Sequence, residues 1–454
     1  MCLEFTLNFS TISVGSFEIR ASREVFPTEE LAKMEYPQMI RVRQTFDDTT
    51  LDNVSEEINT QLANLKLETA VKPGQTAAVA CSSRGIGNYG AIVKAVISYL
   101  KQLKLEPFII PAMGSHGAAT AAGQKRVLEH LGIVEKDVGA PIRSSLEIVR
   151  IGETEDHLTV YLDKLASEAD HIVLINRIKK HTEFDHEFES GLLKMMAIGL
   201  GKQEGAAAYH EAMLTLGYPR VILTVARKIM QSANVLFGLG VVENGYGQTA
   251  QIGICRSDDI WEMEKRLFKN AKQFAPALPF DEADILIIDE MGKDISGTGF
   301  DTKVVGRIGL PLVAAEPQSP RIKRIVVCDL TEGSEGNAVG VGIVDIITRR
   351  LLDKIDMDAL NINTITGVCP EMGKIPLTVK NDREAVEIAI KCVGLIPKDK
   401  LKVIRIKNTA LLSEVDVSQA YQEELAKRSD LEIVMGNRAM GFDADGNLLP
   451  FYCQ

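Results

Sequence analysis

The 454-residue sequence predicts an α/β protein, with two domains of mixed, largely parallel sheets and an active-site cleft between them. Three observations carry that expectation. Short apolar runs alternate with amphipathic stretches, the pattern of strands and helices in layered folds. Apolar residues make up 45% and charged residues 25%, which fits a globular chain and excludes disorder as a general description. The length exceeds one ordinary domain of about 150 residues, and two prolines in the segment 275–280 (APALPF) punctuate a helix–strand junction. The expected domains are therefore 1–275, carrying the lysine and histidine chemistry described below, and 276–454, closing the substrate cleft.

The elements follow in order. Thr76–Cys81 (TAAVAC) reads as a buried strand, with Gly85, Gly87 and Gly90 in the next loop and a helix over 91–103. EPFIIPAMG is a strand running into a loop, and SHGAATAAGQKRVLEHLG is a loop entering a helix. HIVLIN at 171–176 is a strand, and 261–274 (WEMEKRLFKNAKQF) is a helix. Beyond the prolines, ADILIID, RIKRIVVCDL and KLKVIRIK read as strands, separated by helices at about 337–355 and 383–394.

Charge and cysteine narrow the function. Lys plus Arg is 51 and Asp plus Glu is 62, a net charge of −11. That balance lacks the basic footprint of a nucleic-acid binder, so a small-molecule substrate is the expected partner. No run reaches the ~18 apolar residues of a membrane span, and the start, with Glu4 and no basic stretch, is not expected to be a secretory leader. The seven cysteines are odd in number and form no C-x-x-C, which argues against a disulfide framework or thiolate zinc site and for a cytoplasmic location. All seven histidines lie between His116 and His210. Imidazole is the common metal ligand and acid/base group, so chemistry is expected there.

Four clusters stand at strand ends, where α/β sheets collect ligands. Ser82-Ser83-Arg84-Gly85-Ile86-Gly87 offers backbone amides and a guanidinium to an anion. Gly114-Ser115-His116-Gly117 presents an imidazole flanked by glycines. After strand 171–176 come Lys179, Lys180, His181 and His186, then Ser190-Gly191-Leu192-Leu193-Lys194. Lys194 has apolar neighbours, the setting of a snorkelling lysine or of a nucleophile. His210 lies sixteen residues further on. On one unbroken helix the two would point about 160° apart, so a shared site requires the Gly199/Gly201 break to redirect the chain. Asp289-Glu290-Met291-Gly292-Lys293 forms the fourth cluster. His130 and His157 read as surface residues, His171 as structural, and Asp443–Asn447 as a hairpin turn rather than a calcium loop, since the terminal glutamate pattern is missing.

Together these motifs resemble the lactate racemase catalytic family, in which a nickel-pincer nucleotide serves catalysis. The resemblance rests on Arg84, Gly114-Ser115-His116, His181 leading to Ser190-Gly191-Leu192-Leu193-Lys194, the Lys194-to-His210 spacing, and Glu290-Met291-Gly292-Lys293. It implies a pyridinium-3,5-bisthiocarboxylic acid mononucleotide nickel cofactor, attached covalently to Lys194 and supported by Ser83, Gly191 and Lys202, with His210 on the metal. It further implies His116 and His181 as the acid/base pair, and Arg84, Glu290 and Lys293 on the substrate. The expected reaction is racemisation or epimerisation at a secondary-alcohol carbon, by abstraction and return of hydride. Cofactor-biosynthesis proteins are implied as transient partners, and homo-oligomerisation is left open. Cys81 stands where the family has an aspartate, His186 competes with His181, and Glu290 replaces a glutamine, which points to a substrate other than lactate. Two alternatives stay open: a metal-independent lysine Schiff-base enzyme, and a non-catalytic homologue that binds a cofactor or anion.

Overall fold

The computed structural model describes residues 35–117, 119–310 and 314–451. The stretch read as lacking a secretory leader, with Cys2 and Cys453, lies outside them. In chain order the strands are β1 (Met39–Gln44), β2 (Thr76–Cys81), β3 (Glu106–Pro111), β4 (Ile148–Glu153), β5 (Thr159–Asp163), β6 (His171–Arg177), β7 (Val235–Glu243), β8 (Thr249–Arg256), β9 (Glu282–Met291), β10 (Arg321–Leu330), β11 (Ile346–Thr348), β12 (Leu377–Val379), β13 (Val403–Ile406), β14 (Glu414–Ser418) and β15 (Leu431–Arg438).

One sheet has the order β3-β2-β6-β7-β8, parallel except for its last strand. Both of its faces are covered. In β2, Ala78 and Ala80 join a core with Ile110, Leu174 and Met196, while Ala77, Val79 and Cys81 join another with Ile92 and Val96 of the helix Tyr89–Gln102. A run apolar on both sides of the pleat is what a covered parallel strand requires. β4 and β5 pair as a separate hairpin.

The other sheet runs β12-β11-β10-β9-β13-β14-β1-β15. Its first five strands are parallel, and the last three attach antiparallel. The mixed α/β class, with largely parallel strands, is as expected. β1, grouped by sequence position with the first domain, pairs instead with β14 and β15 of the second half, where Ile40 and Val42 pack with Leu286 and Ile288. The helix expected at about 337–355 is replaced by a short turn, the strand β11 and a brief helix, Arg349–Asp353. Ile346, Ile347 and Thr348 are β-branched and pair between β10 and β12, a setting that favours the strand. Among the described residues no helix is long and apolar enough to cross a membrane.

The topology fixes where a ligand can gather. β3 lies on one side of β2 and β6 on the other, so the connections diverge at the carboxyl end of β2. The Arg84, His116 and His181 loops leave these three adjacent strand ends.

Candidate active site

The β2 loop is tied down before it reaches the site. The Ser82 amide donates to the Tyr89 hydroxyl at 2.7 Å, and the Ser83 hydroxyl closely contacts Nδ1 of His116. Ser83 thus orients an imidazole. Arg84 donates from Nη1 to the Lys293 carbonyl at 2.6 Å, joining the β2 end to the β9 end. Lys293 is held in turn by its amide to Ser334 (2.8 Å) and by Nζ to the Gly297 carbonyl (2.6 Å). Cys81 is fully buried among apolar residues, and burial pushes its thiol up to about 12, so it brings no charge to the site.

Beyond β6 the chain makes a loop closed at its base, where Lys179 and Ser190 exchange backbone hydrogen bonds of 2.9 and 3.1 Å. Within it the buried Glu189 carboxylate accepts from the His181 amide and pairs with Lys303 at 2.8 Å. Phe184 stacks between His181 and Tyr218, with centroids 4.6 and 5.4 Å away. His181 contacts Lys194 directly, whereas His186 packs edge-on against Phe188 at 4.8 Å. The geometry thus brings His181, rather than His186, to the lysine.

Lys194 sits on a short turn, Leu192–Lys194, whose start is capped by a residue seventy positions away. Glu264, fully buried, accepts from the amides of Leu192 (2.7 Å) and Leu193 (3.0 Å). A Cβ on Gly191 would lie 2.4 Å from that carboxylate, so this glycine makes room for the cap. The chain then widens into a π-type turn over Met195–Gly199, closed by Leu200 N to Met195 O at 2.9 Å. Lys202 follows at φ +53°, ending any continuous helix before Lys202–Leu216 carries His210. The interruption thus falls on the π-type turn and Lys202, while Gly199 and Gly201 keep ordinary φ and make room for the carbonyls of Ala112 and Ala197.

The electrostatics report the convergence. Burial, then the charges of Arg84, Lys293 and Lys194, holds His116 well below its ordinary value. Burial, then Lys194, Lys179, Lys303 and His210, does the same for His181. Both imidazoles are therefore neutral at pH 7. Burial takes Lys194 down to about 8 and Lys293 to about 8, with Glu183 opposing the fall in both. His181 Nδ1 accepts from the Glu183 amide at 3.0 Å, which fixes the ring with Nε2 against the Lys194 amine. His210 has backbone Thr366 as a hydrogen-bond partner, while its buried Nδ1 has none among the described residues.

Two expected site residues are engaged by partners of their own. Glu290 pairs with Lys407 at 2.7 Å and accepts from Asn408 at 3.0 Å, so its charge is already compensated. Lys202 is buried, pairs with Asp163 at 2.7 Å and donates to the Pro111 carbonyl at 2.6 Å. It braces the interior. His171 is held between Gln75 and Asn234, and Asp443 closes a tight turn by accepting from the amides of Asp445 and Asn447, both as expected. Sequence reading missed Glu183, Tyr218, Glu189 and Glu264. A signal for Glu264 existed: it interrupts the buried stripe Ile260, Met263, Leu267, Phe268, Ala271 of the helix Ile260–Phe274.

The chain has relatives among known proteins in sequence over part of its length and in fold. Residues 27–218 match the lactate racemase N-terminal domain family, a span that includes Arg84, His116, His181, Lys194 and His210. The lactate racemase apoprotein from Thermoanaerobacterium thermosaccharolyticum is similar in fold, with a TM-score of 0.51 and 14% identity, over 82% of this chain and 99% of that one. A Thermotoga maritima protein solved by a structural genomics consortium has a TM-score of 0.51 and 15% identity, over 80% and 99%. No curated protein matches the chain.

Proposed function

We propose that this chain, which carries a lactate racemase N-terminal domain over residues 27–218, is a racemase or epimerase that inverts a secondary-alcohol carbon of a hydroxy acid. One observation carries the reading. Two neutral imidazoles, His116 and His181, converge on a buried lysine of lowered basicity, with Arg84 and Lys293 beside them.

The residues fit the nickel-pincer nucleotide. Lys194 is an amine suited to acylation, as attachment through a thioamide requires. The His210 ring has one hydrogen-bonded side and one bare buried nitrogen, the pattern of a metal-ligating imidazole. Among the described residues no three His, Cys, Asp or Glu side chains are placed to hold a bare ion, so a metal on His210 would take its other ligands from the bound group. When bound, that group supplies the hydride acceptor that a hydroxyl-bearing carbon needs.

The protein's own part is binding and proton transfer. Arg84 keeps further N–H donors after serving the Lys293 carbonyl, and these grip the substrate carboxylate together with the Lys293 ammonium. His116 or His181 removes the hydroxyl proton, according to the enantiomer bound; that proton passes on to the other imidazole, which delivers it to the alkoxide of the inverted product, so both rings end neutral. Ser83 fixes the ring of His116, and the Glu189 carboxylate fixes the backbone of His181. Tyr218 and Phe184 wall the histidine side and exclude water.

The test is an enantiomer-resolved panel of 2-hydroxy acids and sugar acids, run with protein from a cofactor-producing host. Interconversion of one pair, lost in both His116→Ala and His181→Ala, is the expected result. Turnover that survives both substitutions would refute the assignment.

A further inference from the structure

We propose that the cavity beside the carboxyl end of β6 is a second anion site, one that takes a terminal carboxylate or phosphate of the substrate. The inference rests on the racemase reading for the word substrate, and on geometry alone for the anion.

The cavity measures about 230 Å³, and its walls include Arg177, Lys179, Lys180, Ser296, Lys303 and Thr409. Its cations are not all neutralised. Arg177 contacts Glu243, and Lys303 is paired with Glu189. Among the described residues, neither the Lys179 nor the Lys180 ammonium has a hydrogen-bond or ion-pair partner. Asp301 also lines the space, but its carboxylate accepts from the Lys303 amide at 2.9 Å and opposes the Lys179 charge only through space.

Unused donors face the same space. Ser296 Oγ and Arg177 Nε are buried and lack partners among the described residues, and both residues line the cavity. Orphaned buried donors are costly unless something accepts from them. Thr409 Oγ1 accepts from the Asp301 amide at 2.8 Å, which leaves its own proton to donate. Two ammonium groups, a guanidinium N–H and two hydroxyls thus surround one space, a donor set that matches an oxygen-rich anion.

The position ties this space to the reaction. Lys179 stands two residues before His181 and its charge acts on that ring; burial, then Arg177, lowers the lysine itself to about 7, with Arg84 and Lys194 adding to the fall. A hydroxy acid held by Arg84 and Lys293 at one end would extend its far end past His181 toward Lys179. The matching substrate class is a hydroxy acid with two anionic ends: a hydroxy dicarboxylate or a phosphorylated hydroxy acid.

The experiment has two arms. In the first, calorimetry of cofactor-free, full-length protein measures inorganic phosphate and succinate. Saturable binding is expected, weakened about tenfold by Lys179→Gln and less by Ser296→Ala, as loss of a charged and a neutral donor implies. It should be unchanged in Lys323→Gln, which removes an exposed lysine on β10. Absent binding, or equal loss in the Lys323 control, overturns the site. In the second arm, loaded enzyme is assayed on doubly and singly anionic hydroxy acids. The ratio of kcat/KM should favour the dianion and fall about tenfold in Lys179→Gln. The preferred partner, dicarboxylate or phosphate ester, identifies the far group. Phosphate binding that disappears on cofactor loading, with no dianion preference, assigns the cavity to the cofactor and overturns the substrate claim. Anion binding without any racemisation leaves the site standing and removes the racemase reading.

Discussion

Lys202 and Lys194 lie eight residues apart, on either side of one broken helix, and the fold treats them in opposite ways. Lys202 is sealed from solvent with Asp163 at 2.7 Å and the Pro111 carbonyl at 2.6 Å, so its charge is matched. Lys194 has no carboxylate in contact; it meets an imidazole, and burial lowers it to about 8. A buried charge is tolerated when paired and shifts toward neutrality when it is not. The first arrangement builds a scaffold, and the second leaves an amine of lowered basicity.

The largest effect should come from breaking the matched pair. Lys202→Met leaves the buried Asp163 carboxylate with only the Ala166 amide as partner, and should cost about 3–5 kcal/mol in denaturant unfolding. Next is the cap beneath Lys194. Glu264→Leu strands the amides of Leu192 and Leu193 and should cost about 1–3 kcal/mol. Gly191→Ala pushes the same carboxylate aside and should also lower activity, by displacing Lys194.

Lys194→Met should act the other way. In the folded protein Lys194 titrates near 8, against 10.5 when exposed, so wild type binds fewer protons folded than unfolded between those values, and its stability rises with pH across that window. The Met variant should therefore unfold at a higher temperature than wild type at pH 7, and the gain should shrink from pH 8 upward. A gain independent of pH would show that charge is not its cause. The smallest effect is expected at Glu290, already compensated by Lys407 and Asn408. Glu290→Gln should leave kcat/KM within about twofold, since the change is isosteric and the charge it removes is already compensated.

The contrast also shows what a sequence can carry. The strands 76–81, 106–111, 171–177 and 282–291 were legible because covered parallel strands are apolar on both faces. The interruption between Lys194 and His210 was legible because two glycines break an apolar run. β1 was not assignable, since its partners lie about 375 residues away and leave no local trace. The 337–355 segment misled because Val, Ile and Leu at helical spacing are also the residues of a short buried strand. Lys202 and Glu290 looked available because each is charged beside the motif, and only packing reveals Asp163 and Lys407 against them. Glu183 escaped notice for the converse reason: it reads as a loop carboxylate, yet its amide supports His181 and its charge acts on Lys194 and Lys293.

The central claim is that Lys194 holds an organic group whose metal sits on His210. Intact mass and nickel analysis of protein from a cofactor-producing host tests it most directly. The expected result is an adduct on Lys194 with stoichiometric nickel, both lost in Lys194→Ala. His210→Ala should lose the metal, and His116→Ala should retain adduct and metal. Unmodified Lys194 in protein that turns over at full rate would contradict the account.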